Sequence, residues 1–248
     1  MGMLIMKKDY YNKAVEDSTE AKQTNTREAE AYCNHGVACY RKGLHDKAIE
    51  CYTRAIQINP KLEDAYYNRG FVYAEKGLYG KAIKDYTKAI WINPKSNDAY
   101  YNRANVYIAK KLYDKAIEDY TMAIQINRED TFAYYKRGIA YSGKGLYDKA
   151  IENYTKVIQI NPKLEGAYYE RALAYSKKGL LDETIEDCTN AIKANPKYRN
   201  AYLTRGAAYH SKSLDKLCIS DWEKAADLGD EEAIQKLGEI FNIDYLVT

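Results

Sequence analysis

The sequence predicts an all-α fold built from repeated antiparallel helix pairs. Three observations carry that expectation: a fixed period, apolar residues at helical spacing inside each period, and a stop signal after each apolar stretch. The period shows first in DAYYNRG at Asp64–Gly70, which returns as DAYYNRA at Asp98–Ala104 after 34 residues. Six units run without insertion or deletion, at 29–62, 63–96, 97–130, 131–164, 165–198 and 199–232. The flank 1–28 holds YNKAVEDSTEA at Tyr11–Ala21, which matches the second half of a unit. EEAIQKLGEIF at Glu231–Phe241 matches a first half, and 233–248 is read as a C-terminal capping helix.

Unit two shows how each pair arises. Tyr66, Gly70 and Tyr73 fall on one face of a first helix, at i, i+4 and i+7. Tyr79, Ala82, Ile83, Tyr86, Ala89 and Ile90 form a broader stripe of the same period in a second helix. Between them Gly77 stands where a left-handed helix terminus is expected, a conformation glycine adopts without steric cost. After the second helix, Pro94 disfavours helical geometry at Asn93. Small residues such as Gly70, Ala82 and Ala89 let the helices approach closely while tyrosines fill the space beside them.

These residues resemble the tetratricopeptide repeat. Its signature is an aromatic at repeat position 4, a small residue at 8, an aromatic at 11, then small, aromatic and small at 20, 24 and 27, with proline at 32. Unit two supplies all of them as Tyr66, Gly70, Tyr73, Ala82, Tyr86, Ala89 and Pro94. The resemblance covers 29–232 and extends into both flanks; it is specific for fold and says little about the partner. It implies a right-handed superhelical solenoid of antiparallel helix pairs, acting as a protein-interaction module.

Departures are local. Unit three has Lys111 for the turn glycine and Arg128 for the proline, so its second helix is expected to run on toward unit four, disturbing the pitch near Asn127–Thr131. Unit five carries Thr184 and Cys188 in its second helix, and unit six ends in KAADLGDEEA, similar to Sel1-type repeats. The last helix keeps Ile234, Leu237, Ile240, Phe241 and Tyr245. It either caps the array or, through its end DYLVT, lets the chain associate with another molecule.

An arginine recurs at repeat position 7 and an acceptor at position 23, giving Arg69 with Asp85, Arg103 with Asp119, Arg137 with Asn153, Arg171 with Asp187 and Arg205 with Asp221. Unit one breaks both places together, with His35 and Cys51. The joint change suggests contact. The structural reading places each guanidinium over tyrosine rings and on its carboxylate, closing its own helix pair. The rival reading makes the arginines a binding surface for phosphate or acidic peptide.

A second stripe lies beside the core face of each first helix. Position 5 runs Cys33, Tyr67, Tyr101, Tyr135, Tyr169 and Leu203; position 9 runs Val37, Phe71, Asn105, Ile139, Leu173 and Ala207. In the family this stripe faces the concave surface, where apolar residues and tyrosines suit an extended peptide or a partner helix. The alternative is that these tyrosines pack against adjacent units and complete the core. Position 6 adds Asn34, Asn68 and Asn102, followed by Lys136, Glu170 and Thr204. An amide offers both donor and acceptor, so it pairs with a peptide backbone regardless of sequence. A similar asparagine ladder lies in the tetratricopeptide region of the O-linked GlcNAc transferase family. Co-chaperone repeats that clamp acidic chaperone tails fit poorly, because only Asn68 and Asn102 match their pattern. With Glu30, Asp64 and Asp98 at position 2, the first half of the groove is acidic and suits a neutral or basic segment.

Chemistry is sparse. A net charge of +3 points to neither nucleic acid nor membrane lipid. None of the common hydrolase, nucleotide or zinc-protease motifs occurs, and no catalytic constellation or cofactor is expected. His35 and Cys39 stand four apart on one helix face, but both fall at core positions and no further ligands converge, so no metal is expected either. The five cysteines fit no disulfide framework and, with no signal peptide or membrane span, suggest a cytoplasmic chain. The expected function is a non-enzymatic scaffold for a protein or peptide partner. The alternatives are a sensor or specialised chaperone that changes pitch on binding, and a substrate-docking region of an enzyme.

Overall fold

Alternating small and aromatic residues can bury their stripes only against another helix, and the helices follow that rule. The computed structural model describes residues 24–242, which form thirteen helices and no strand. The first two are α1 (24–41) and α2 (His45–Ile58). Four more pairs follow: α3 (Glu63–Glu75) with α4 (Tyr79–Ile92), α5 (Asn97–Ala109) with α6 (Tyr113–Ile126), α7 (Thr131–Gly143) with α8 (Tyr147–Ile160), and α9 (Glu165–Lys177) with α10 (Leu181–Ala194). The last three are α11 (Arg199–Ser211), α12 (Asp215–Asp227) and α13 (Glu231–Phe241). The fold is an all-α tetratricopeptide-type solenoid of helix pairs. It divides into two compact units, one ending at Lys110 and the other beginning at Lys111.

Size matching sets the spacing within a pair. A Cβ added at Gly70 would stand 3.2 Å from the Tyr86 ring, and one at Gly138 would stand 2.6 Å from Tyr154. Gly206 faces Trp222 in the same way, at 2.5 Å. Where the ring is replaced by the smaller Cys188, position 8 is Ala172, and both are buried in one cluster. The interior is close-packed, so at these three places the ring on one helix is matched by a bare backbone on the other.

Turns repeat as well. At Gly77 (φ 70) the Leu78 amide donates to Tyr73 O at 2.8 Å and the Gly77 amide donates to Ala74 O at 2.9 Å, closing α3 with a left-handed cap. Lys111 and Ser213 hold the same left-handed place, each with φ 57. Each accepts a strain of roughly 1–2 kcal/mol that glycine would not.

Two boundaries differ from the sequence expectation. Arg128 does not let α6 run on: it ends at Ile126, and Asn127 is extended (φ −126, ψ 100). The reason is the asparagine, whose Oδ1 accepts from the Glu129 amide at 3.1 Å. Asn59, Asn93, Asn161 and Asn195 make the same bond two residues ahead, so the side-chain turn stops each second helix with or without proline. The last helix begins at Glu231 rather than 233, because Gly229 (φ 81) turns the chain early and Asp230 caps it, accepting from the Ala233 amide at 3.0 Å. Helix α13 buries Ala233 and Leu237 against Cys218 and Trp222, and stops at Phe241 with Asn242 in the left-handed region. Tyr11–Ala21, Tyr245 and the DYLVT end lie outside the described residues. No described helix is long and apolar enough to cross a membrane.

Candidate functional site

The arginines must be placed first, because they decide which polar groups remain for a ligand. Arg69 donates from Nε and Nη2 to the two Asp85 oxygens at 2.7 and 2.9 Å, and from Nη1 to Thr53 Oγ1 at 2.9 Å. Arg171 binds Asp187 at 2.7 and 2.8 Å and Thr155 at 2.8 Å. Arg205 binds Asp221 at 2.8 Å through both nitrogens and Thr189 at 2.9 Å. These guanidinium groups also lie within 6.0 Å of the centroids of flanking tyrosine rings. Thr53, Thr155 and Thr189 belong to the preceding repeat, so each arginine closes its own pair and ties it to the previous one. Sequence reasoning saw the first half of that staple and missed the threonine. Arg137 donates to Asn153 Oδ1 at 2.9 Å and to Thr121 at 3.0 Å. Arg103 lies over Tyr100 and Tyr107 and donates to Thr87 at 2.8 Å; Asp119, buried, is in the other compact unit.

In the N-terminal unit, Asn34, Asp64 and Asp98 are exposed, while Val37, Tyr67, Asn68, Phe71, Tyr101, Asn102 and Asn105 are half-buried. Val37, Tyr40, Arg41, Tyr52, Tyr67, Asn68, Phe71 and Val72 line a cavity of about 260 Å³. The amides serve partly within the fold: Asn102 Nδ2 donates to Tyr67 Oη at 3.0 Å and to Asp98 O at 2.9 Å, and Asn68 Nδ2 points at Cys33 Sγ, 3.9 Å away. Each uses its Nδ2 end to link neighbouring repeats. Partial desolvation first, and then the neighbouring Glu63 and Glu30, push the Asp64 carboxyl above its ordinary range.

In the C-terminal unit, Tyr135, Lys136, Ile139, Tyr169 and Leu173 are all half-buried. The Tyr135 ring meets Tyr154 edge-on at 5.9 Å, and Tyr169 meets Tyr198 edge-on at 5.1 Å, so both rings share themselves between core and surface. Glu170 takes the asparagine's place, and burial pushes its carboxyl up while Lys136 pulls it down.

Profiles of the tetratricopeptide repeat match residues 63–96, 98–130, 131–164 and 165–198, and a TPR repeat profile matches 36–77. A crystal structure of MamA is 33% identical, covers 65% of this chain and 95% of its own, and superposes with a TM-score of 0.64. This chain belongs to the tetratricopeptide repeat family. YrrB, a TPR protein with an unusual peptide-binding site, has the same fold at 22% identity, covering 75% of this chain and 96% of that one with a TM-score of 0.65. PilF of Pseudomonas aeruginosa shares it at 16% identity, over 87% and 99% of the two chains, with a TM-score of 0.69. No curated protein sequence matches significantly.

Two aromatic residues of this tetratricopeptide array escaped the sequence argument. Phe132, 69% exposed, stands one turn before Tyr135 on α7, where earlier repeats carry Glu30, Asp64 and Asp98. Trp91, 66% exposed, lies under Lys88 Nζ at 3.6 Å from its ring centroid. It borders a cavity of about 620 Å³ that also meets Ile56, Tyr66, Arg69 and Thr87. Both were legible by aligning units: Trp91 replaces a residue that is Gln57, Gln125 and Gln159 elsewhere.

Proposed function

We propose that this chain is a non-enzymatic interaction scaffold whose first helices take a neutral or basic protein segment. The observation that carries the reading is the N-terminal cavity, which Val37, Tyr67, Asn68 and Phe71 line. Exposed Asp64 stands on α3 with Tyr67, Asn68 and Phe71, and exposed Asp98 holds the same repeat position on α5, so a segment bringing Lys or Arg gains complementary charge. Half-buried tyrosines supply large contact area at low entropic cost. The peptide-binding site named for YrrB, a protein of the same fold, supports a peptide as the ligand class. For a pitch-changing sensor the support is weaker, since the run-on helix that motivated it is absent.

The test is selection of a displayed peptide library on the full chain, followed by affinity measurement on variants. Selected peptides are expected to be basic or neutral and to lose about tenfold in affinity, or ~1.4 kcal/mol, on Phe71→Ala. Asp64→Lys, an exposed change, weakens the basic ones and leaves the melting temperature in place. Peptides that bind both variants like the parent overturn this site.

A further inference from the structure

Repeat one departs from the others at three positions, and these three meet in space. Position 7 is arginine in the five other repeats and His35 here; position 23 is Asp or Asn153 elsewhere and Cys51 here. Position 11 is Tyr73, Tyr107, Tyr141, Tyr175 and Tyr209 in the others and Cys39 here. In repeat two these are the three places that form the staple, with Arg69 on Asp85 at 2.7 Å and 5.9 Å from the Tyr73 ring centroid. Spacing on α1 pairs His35 with Cys39, and the joint change at positions 7 and 23 pairs His35 with Cys51. The fold adds Cys51 from α2, and one ligand atom from each of the three lies within 4.8 Å of the others.

We propose that His35, Cys39 and Cys51 form a Zn²⁺ site that replaces the arginine staple and closes α1 onto α2. Two thiolates and an imidazole are the donor set of a borderline d¹⁰ ion, not of Mg²⁺ or Ca²⁺, which take oxygen. Zinc–ligand bonds of about 2.0–2.3 Å in a tetrahedron set donor atoms roughly 3.6–3.8 Å apart. The observed spread exceeds that by about an ångström at most, within reach of side-chain rotation at the exposed His35. Cys39 is buried and Cys51 half-buried, so the sulfurs form the floor and the fourth position opens to water on the histidine side. Zinc takes thiolates, so each Zn–S bond that forms releases that cysteine's proton to solvent.

The experiment uses the full chain, reduced and stripped of metal, titrated with Zn²⁺ against a chromophoric chelator and with Co²⁺ as a spectroscopic probe. One equivalent is expected to bind, with the sulfur-to-cobalt charge-transfer band and intense visible bands of a tetrahedral thiolate site, and Zn²⁺ is expected to raise Tm by several degrees. His35→Ala and Cys51→Ser each lower affinity at least tenfold and remove the Tm shift. The double variant His35→Arg, Cys51→Asp restores the staple of the other repeats; it stays folded and ignores both metals. Absence of thiolate–cobalt absorption in the parent overturns the site, as does undiminished Zn²⁺ uptake by Cys51→Ser or by the restored double variant.

Discussion

Repeats four and five follow one another in the C-terminal unit and are closed by the same arginine, yet the arginine meets an amide in one and a carboxylate in the other. Arg137 reaches Asn153 Oδ1 at 2.9 Å and Arg171 reaches Asp187 Oδ2 at 2.7 Å, each with a threonine of the preceding repeat on Nη1. The geometry survives the exchange, so this place requires an acceptor before it requires a charge. What changes is electrostatic. The Asp187 bonds push the Arg171 guanidinium up, whereas burial pushes Arg137 down, with only tyrosines to oppose it. Burial also pushes the Asp187 carboxyl up against the pull of its arginine, so much of the attraction offsets desolvation. Repeat one goes further and gives up both members for His35 and Cys51.

Removing the acceptor gives the largest expected difference between the two repeats. Asp187→Ala strands a largely buried cation and should cost about 3–5 kcal/mol. Asn153→Ala loses one bond to a charged group and should cost about 1.5–3 kcal/mol. Because a repeat array loosens locally, the readout is hydrogen exchange of the α7–α8 and α9–α10 amides rather than one global transition. Equal losses would mean that the carboxylate adds nothing to the amide. Next come Gly145→Ala and Gly179→Ala, in turns with φ 73 and 75 and open space around the added carbon. Both should cost about 1–2 kcal/mol in the same assay, alike in the two repeats, since only backbone strain is involved. Unequal losses would show that the repeats differ in more than their staple. Asn153→Asp gives up the Nδ2 bond to Lys149 O at 2.7 Å for a second oxygen toward Arg137 and should gain about 1 kcal/mol; a loss would show that desolvation and the missing donor outweigh the added bond.

Much of this was legible because the sequence repeats. The helix pair could be read six times, the arginine and its partner five times and the turn glycine four times, and Tyr86 against Gly70 follows from size. The stop of α6 was misread because Pro94 drew attention from Asn93, the residue that recurs as Asn127 where proline does not. Thr53 went unseen for a different reason: its contact with Arg69 joins two repeats, and a pattern read one unit at a time is blind between units. The same applies to Asn102, whose bond to Tyr67 gives a residue of the ligand-facing ladder a share in holding repeats together. Residues of the candidate face were found by stripe position, but half-burial of Tyr135 against Tyr154 follows from packing that helical spacing does not encode. Cys51 was tied to His35 by their joint departure and Cys39 to His35 by helical spacing, but the three were not joined, because Cys51 comes from the facing helix.

The smallest expected effect separates the two repeats at position 6, where Lys136 stands in repeat four and Glu170 in repeat five. Burial holds the Glu170 carboxyl above its ordinary value, and Lys136 only partly opposes this. The folded chain therefore keeps a proton that the unfolded chain has already released. Stability should fall as pH rises from the ordinary glutamate range through the raised folded value, then level off. Below that window both states are protonated and nothing changes. Glu170→Gln should flatten the fall in the exchange of α9 amides, and Lys136→Met should deepen it, by less than the glycine variants change stability. The neighbouring Tyr135 and Tyr169 are pushed up by burial and stay neutral across this range, so they add no slope of their own. A parent and Glu170→Gln variant with parallel pH profiles would place the charge of repeat five in water, and leave the staple as the sole electrostatic difference between the two repeats.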